Sequence, residues 1–410
     1  MDGNDLVAMI LKKEGVEWIS CFPSNPLIEA AARQEIRPIA FRHERGAVMA
    51  ADGFSRTSDR QRFGVVAIQS QAGAENALGG IAQAFADNIP ILVLPGGVSL
   101  QEIGVRPNYS ASRNYTGVVK HIEAIYRSDQ IVAVMRRAFS ALRNGAPGPV
   151  VVELTADVCA QPSNQDITEY TPPKMLRQVP SASDIADAAR ALLRAERPVL
   201  WAGAGVLFAG ATEQLKVLAE LTGTPVFCTM AGKSAFDERH PLALGAGSGA
   251  TTGPAHQWLQ SCDLLMAIGS SLTRSPYAQR IRPDLFVIQN TNNPDEIGKD
   301  ENVDIGLAGD AKLTLLALID EVKGQMGTEP KNRHATEQEI TRQRAAWFRD
   351  WVALLESDAV PLNTYRVIRE IDRTLDRENS IVTHDAGAPR DSIVPFYTGT
   401  APHSYIGWGK

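Results

Sequence analysis

The chain has 410 residues, a formal net charge of −6, and 44% hydrophobic and 21% charged residues, an ordinary globular balance with room for roughly two to three domains. The mildly acidic total gives no electrostatic reason to bind nucleic acid or an anionic membrane, and no apolar run approaches the ~20 residues needed to cross a bilayer. Cys21, Cys159, Cys228 and Cys262 are far apart and fit neither a zinc spacing nor a disulfide framework, and Met1-Asp2-Gly3-Asn4 lacks the basic and apolar regions of a signal peptide, so a reducing cytoplasm is the expected location.

Residues 38–41 read as a short apolar strand, and the helix behind it places Ala47, Ala50, Ala51 and Phe54 at helical spacing on one face. Glu44 then falls in the first helical turn, exposed at a strand end, where open α/β sheets bind ligands. A carboxylate there suits chemistry, although it would also complement the helix dipole by up to about 1 kcal/mol. Residues 63–69 form a buried-type strand, Ser70-Gln71-Ala72-Gly73-Ala74-Glu75-Asn76 a glycine-containing turn, residues 77–86 a helix and residues 90–95 a further strand.

The pattern breaks over residues 161–183, rich in Pro, Ser, Thr and Gln, and resumes with a strand at 198–202, Gly203-Ala204-Gly205, a helix from about Ala211, and a strand at 264–268 followed by Gly269. Small residues at two strand ends suit a nucleotide lying across them, but Gly203-Ala204-Gly205 lacks a third glycine and also serves plain helix–strand packing. Residues 324–335 are charged and lead into a helix at 336–357, whose Trp347, Phe348, Trp351, Leu354 and Leu355 make an amphipathic stripe expected to pack on a neighbouring domain. A helix at 363–375 and a strand at 380–384 open a third part that, at about fifty residues, is too small to bury a sheet alone. The expected domains are 1–160, 184–325 and 361–410.

Taken in order, the Glu44 helix, the strand and turn ending at Asn76, and Ala84-Phe85-Ala86-Asp87-Asn88-Ile89-Pro90-Ile91-Leu92-Val93-Leu94 resemble the pyrimidine-binding domain of thiamine diphosphate enzymes, the acetolactate synthase group above all. Family members open with a phrase similar to Gly15-Val16-Glu17-Trp18-Ile19-Ser20-Cys21-Phe22-Pro23-Ser24-Asn25. The segments Arg197-Pro198-Val199-Leu200-Trp201-Ala202-Gly203-Ala204-Gly205-Val206, Thr224-Pro225-Val226, Cys262-Asp263-Leu264-Leu265-Met266-Ala267-Ile268-Gly269 and Asn293-Pro294-Asp295-Glu296-Ile297-Gly298-Lys299 resemble the family's central domain. The likeness spans nearly the whole chain, and no single motif carries it.

The resemblance implies an α/β fold of tandem doubly wound parallel-sheet domains: a pyrimidine-binding domain, a Rossmann-like central domain and the start of a diphosphate-binding domain. It implies that Glu44 shares a proton with a ring nitrogen of the cofactor's aminopyrimidine, so that this ring can remove the thiazolium C2 proton. Pro23, Ser24, Asn25, Gly73 and Asn76 would surround that ring. Gly203, Gly205 and Gly269 would line FAD or an adenine nucleotide, if the central domain holds either; relatives variously hold one or nothing. Thr383-His384-Asp385-Ala386-Gly387-Ala388-Pro389 resembles the first phosphate-contacting turn, with Gly387, Ala388 and Pro389 opening the diphosphate site and Gly407-Trp408-Gly409 leading onward.

Three departures bear on function. Where relatives commonly have Gly-Pro-Gly, the chain has Gln71-Ala72-Gly73. The loop Gly104-Val105-Arg106-Pro107-Asn108-Tyr109-Ser110 lacks the glutamine that acetolactate synthases present, so Asn108 or Tyr109 substitutes for it or the loop is an ordinary one; His121 at the following element reads as structural. The Gly-Asp-Gly motif and Asn pair that hold the diphosphate's Mg2+ in relatives are not found: Gly309-Asp310-Ala311 is the only Gly-Asp step and closes the central domain. Mg2+ ligands are therefore expected outside this chain, as in a shortened protein or, less favoured, one half of a split enzyme.

The expected function is a thiamine diphosphate- and Mg2+-dependent lyase or carboligase acting on a small 2-oxo acid as a homodimer or homotetramer, with decarboxylation and ligation both open. The alternative is a non-catalytic scaffold or partner subunit that binds a nucleotide or a separate diphosphate-domain chain.

Overall fold

In the first 176 residues, short apolar runs alternate with helices and assemble one parallel sheet: β1 (Trp18–Cys21), β2 (Arg37–Ala40), β3 (Gly64–Ile68), β4 (Ile91–Pro95), β5 (His121–Ala124) and β6 (Val150–Glu153), in the order β2-β1-β3-β4-β6-β5. β3 and β4 are buried at every residue, as expected where helices cover both faces of a parallel sheet. The strand order reverses direction between β1 and β3, and the crevice outside such a reversal is where doubly wound sheets bind ligands. The structure is a computed structural model that describes residues 1–58, 62–275 and 278–408.

The helix Glu44–Arg56 buries Glu44, Ala47, Val48, Ala51, Asp52, Ser55 and Arg56, a strict helical stripe. The sequence reading had placed Ala50 and Phe54 on this face; both are half-buried on its flank, because polar residues with partners take their place. Ser55 Oγ donates to Pro90 O at 2.6 Å and accepts from Gly64 N at 2.8 Å. Arg56 is paired with Asp52 and reaches Asp87 at 2.8 Å. Apolar periodicity alone does not register such a face.

Residues 177–409 form a second unit. Its sheet contains β7 (Pro198–Ala202), β8 (Val226–Thr229), β9 (Ala243–Gly247), β10 (Leu264–Ile268), β11 (Phe286–Thr291) and β12 (Ile305–Ala308), parallel, in the order β12-β11-β10-β7-β8-β9. From β9 inward this is the 3-2-1-4-5-6 order of dinucleotide-binding folds. The Gly309-Asp310 step caps the helix Ala311–Met326, Asp310 accepting from Lys312 N and Leu313 N.

Residues 361–408 belong to this unit and bury apolar side chains in a separate cluster with Met230 and Leu355. The pair β13 (Val382–Thr383) and β14 (Tyr405–Ile406) is parallel, shorter than the strand expected at 380–384. Trp347 of the helix His334–Leu355 stacks on Phe396 at 4.8 Å, and Trp351 meets the same ring at 5.0 Å. The stripe therefore packs on its neighbour, apart from Leu354, which is exposed. A buried ion pair completes the attachment: Lys233 Nζ, on a side chain 1% exposed, lies 2.6 Å from Glu238 Oε1, while Glu238 Oε2 accepts from Gly399 N at 2.8 Å.

Breaking a buried pair leaves one charge uncompensated, at a cost of about 3–5 kcal/mol. Lys233→Met is expected to destabilise the second unit by that order, and adding Glu238→Leu to recover much of the loss. Urea unfolding followed by the fluorescence of Trp347 and Trp351 measures both.

Candidate active site at the switch point of the first sheet

After β2 ends at Ala40, His43 adopts an extended conformation and its ring accepts from Arg45 N, starting the helix with Glu44 as its first residue. Glu44 is not exposed as the sequence suggested: it is 3% accessible, because its position continues the buried stripe of its helix. Asn76 Nδ2 donates to Glu44 Oε2 at 3.1 Å. On the other side, a Cβ at Gly73 would stand 3.0 Å from Glu44 Oε1 and 2.6 Å from Gln69 Cβ. Among the described residues Asn76 is the one hydrogen-bond partner of this carboxylate, which has about four acceptor positions. A buried acid with an open oxygen, over which the chain has kept a glycine, can exchange a proton or hydrogen bond with a ligand.

Gly73 and Asn76 lie on the helix Ala72–Ala86, which begins immediately after Gln71. The sequence reading started this helix at residue 77; the turn is shorter because Gln71 reverses the chain at φ +55°, ψ −117°. Such a conformation in a residue with a Cβ costs on the order of 1–3 kcal/mol. Its side chain is bonded at both ends, Oε1 accepting from Tyr109 N at 2.9 Å and Nε2 donating to Asn108 Oδ1 at 3.1 Å. Tyr115, fully buried, donates through its hydroxyl to Ala74 O, and burial pushes its phenol well above the usual range. Glu153, at the end of β6, accepts from Ser110 Oγ at 2.9 Å, Ala111 N at 3.1 Å and Ser112 N at 2.9 Å. Sequence reasoning missed Tyr115 and Glu153, whose roles come only from long-range contacts; for Gln71 the one available signal was a polar residue where a glycine was expected.

Pro23 and Ser24 form an exposed turn after β1, with Ser24 at φ +76°. Asn25 differs from its expected role. Its buried amide donates to Ile68 O at 2.8 Å and Leu94 O at 3.0 Å, and its oxygen accepts from Leu27 N at 3.0 Å. Both amide hydrogens are spent tying this turn to the ends of β3 and β4, which positions the turn and leaves no donor for a cofactor. His121, on β5, pairs with Glu123 at 2.8 Å, a structural placement.

In the second unit the proposed nucleotide-lining glycines meet one another. Gly205 N donates to Gly269 O at 2.9 Å; a Cβ on Gly203 would lie 2.3 Å from Gly269 O and one on Gly205 2.7 Å from Gly269 Cα. Gly203, Gly205 and Gly269 are small so that two backbone turns can touch, and this contact accounts for them without FAD or an adenine nucleotide. Gly387, Ala388 and Pro389 are exposed at the start of the helix Ala388–Phe396, with Gly387 at φ +78°. Just behind them, burial holds the His384 imidazole below its ordinary value of 6.5. Among the described residues no group of three His, Cys, Asp or Glu side chains is placed to hold a metal, and no helix is long and apolar enough to cross a membrane.

A doubly wound parallel sheet with a buried acid at its switch point places the first unit among the α/β folds whose ligands bind at that crevice. Residues 1–124 match the thiamine pyrophosphate enzyme N-terminal TPP binding domain, and residues 185–318 match the thiamine pyrophosphate enzyme central domain. The chain belongs to the thiamine pyrophosphate enzyme family. Over its whole length it is 31% identical to a probable acetolactate synthase large subunit of Methanocaldococcus jannaschii, spanning 71% of that protein, and 27% identical to the acetolactate synthase isozyme 3 large subunit of Escherichia coli, spanning 72%. The crystal structure of benzoylformate decarboxylase from Polynucleobacter necessarius shares the fold, with a TM-score of 0.82 at 18% identity over 99% of this chain and 74% of that one.

A histidine whose folded-state pKa lies below its unfolded value stabilises the fold fully above the unfolded value and loses that contribution as pH falls through it. Stability of the second unit is therefore expected to drop below about pH 6.5, and His384→Gln to flatten that decline in urea titrations at a series of pH values. The Tyr405 hydroxyl is buried with no hydrogen-bond partner among the described residues, so Tyr405→Phe is expected to leave stability unchanged or raise it.

Proposed function

We propose that the protein is a thiamine diphosphate- and Mg2+-dependent lyase or carboligase acting on a small 2-oxo acid, with Glu44 as the residue that handles the proton of the cofactor's aminopyrimidine. The observation carrying this reading is the Glu44 carboxylate, 3% accessible, bonded by Asn76 on Oε2 and left open on Oε1 by Gly73. Family membership and the likeness to acetolactate synthase large subunits support the reaction class. Thiamine diphosphate, when bound, supplies the electron sink that decarboxylation of a 2-oxo acid needs.

The chain's own residues do the rest. Glu44 would hold or pass a proton at Oε1, and Asn76 fixes Oε2 so that Oε1 is the oxygen left for the cofactor. Gly73 keeps a methyl group off Oε1, and Pro23 and Ser24 would meet the aminopyrimidine ring from the turn after β1. Burial excludes water from the acid and strengthens any hydrogen bond it makes. Gly387, Ala388 and Pro389 would begin the diphosphate site of a homodimeric or homotetrameric cytoplasmic enzyme; Mg2+ would neutralise the diphosphate there, with ligands other than any group of three His, Cys, Asp or Glu among the described residues.

Glu44→Gln keeps the size and the Asn76 contact but cannot pass the proton. It is expected to fold normally and to abolish C2 hydrogen–deuterium exchange of bound thiamine diphosphate, read by proton NMR after acid quench; undiminished exchange would falsify the assignment. Asn76→Ala removes one hydrogen bond to a charged group, worth about 1.5–3 kcal/mol, and should slow that exchange about tenfold or more. Gly73→Ala would put a methyl group 2.6 Å from Gln69 Cβ and 3.0 Å from Glu44 Oε1, so calorimetry should show thiamine diphosphate binding weakened or lost, and the melting temperature should fall with the displacement of Gln69.

A further inference from the structure

The strained backbone at Gln71 has no explanation in the turn itself, because glycine would make the same reversal without strain. What glycine lacks is the carboxamide, and here that group is used at both ends: Oε1 holds the Tyr109 amide at 2.9 Å and Nε2 holds Asn108 Oδ1 at 3.1 Å. Asn108 passes the tie onward, donating to Glu102 O at 3.3 Å. Tyr109 meets Tyr115 edge to face at 6.3 Å, and Tyr115 is bonded to Ala74, three residues beyond Gln71 on the same helix. The loop therefore has two attachments to the first turn of the helix that carries Gly73 and Asn76. Glu153 holds the following residues 110–112, and Asn108 N donates to Val105 O at 2.9 Å within the loop, so Gln71 supplies the side-chain tie between Asn108 and Tyr109 and the helix start.

We propose that Gln71 is a positioning residue that decides which 2-oxo acid side chains the site accepts, by latching Asn108 and Tyr109 at the start of the helix that carries Gly73 and Asn76. The assignment rests on the thiamine diphosphate reading above. Asn108 and Tyr109 are uncharged and half-buried, so the wall they build suits a small, uncharged side chain. Gln71 touches neither the acid nor the cofactor; it acts through the loop, and its loss should alter substrate selection without altering proton transfer at Glu44.

Two variants separate strain from latch. Gln71→Gly removes both, while Gln71→Met keeps the Cβ and the length but has no hydrogen bonds to give. The protein is studied with thiamine diphosphate and Mg2+, using pyruvate and phenylglyoxylate as a small and a large 2-oxo acid. In both variants C2 exchange should stay within about twofold of the unaltered protein. The ratio of kcat/KM for pyruvate over phenylglyoxylate should fall by about fivefold or more, mainly through KM. The Tyr109 amide should exchange with solvent about tenfold faster, and Gln71→Met should melt at a lower temperature than Gln71→Gly. If neither acid turns over, the same ratio is read from their dissociation constants by calorimetry. Unaltered selectivity in both variants, with C2 exchange retained, overturns the proposal and leaves the functional reading standing. Absence of C2 exchange in the unaltered protein overturns the functional reading and the selectivity role together, and the Tyr109 amide then reports whether the latch is structural only.

Discussion

A carboxylate buried to 3% accessibility with one hydrogen-bond donor is the constraint around which the first unit is arranged. Taking an ionisable group out of water is costly unless partners replace the solvent, and among the described residues Glu44 has Asn76 alone as a hydrogen-bond partner. The strand order places this acid at the reversal of the sheet, and the turns after β1 and β3 converge on the same end. Gly73 is the necessary complement, since any larger residue would close the side of the carboxylate that Asn76 leaves open.

Supporting the site requires polar groups inside the fold, and each has been given a specific partner. Asn25 donates to carbonyls at the ends of two strands, fastening the turn after β1 to both. Arg56 with Asp52 and Asp87, and Ser55 with Pro90 and Gly64, join the far end of the Glu44 helix to its neighbours. They hold the C-terminal end of that helix, and Ser20 Oγ, donating to Ala47 O at 2.7 Å, ties the end that carries Glu44 to β1. Gln71 extends the same logic to the loop, accepting an unfavourable backbone geometry in return for two directed hydrogen bonds.

The second unit relies on close approach. Gly203, Gly205 and Gly269 let two turns touch backbone to backbone, and the Lys233–Glu238 pair with Gly399 binds the last fifty residues to the central sheet. Those residues could not bury a two-stranded sheet alone; the aromatic stripe of the preceding helix supplies the missing surface through Trp347, Trp351 and Phe396.

Much of this fold was legible in the sequence, because buried parallel strands are continuous apolar runs: β7 and β10 match their expected bounds, and the helix of Trp347 and Trp351 lies within two residues of its expectation. Glu44, Gly73 and Asn76 could be picked out as candidates by their places at strand ends and by family likeness. The burial of Glu44, the spending of Asn25 on carbonyls, the mutual contact of Gly203, Gly205 and Gly269, and the grip of Gln71 on a loop nearly forty residues away were decided only in the tertiary structure. Periodicity reports which face of an element is apolar, whereas a side chain's free valences depend on which distant backbone groups folding brings within hydrogen-bond reach.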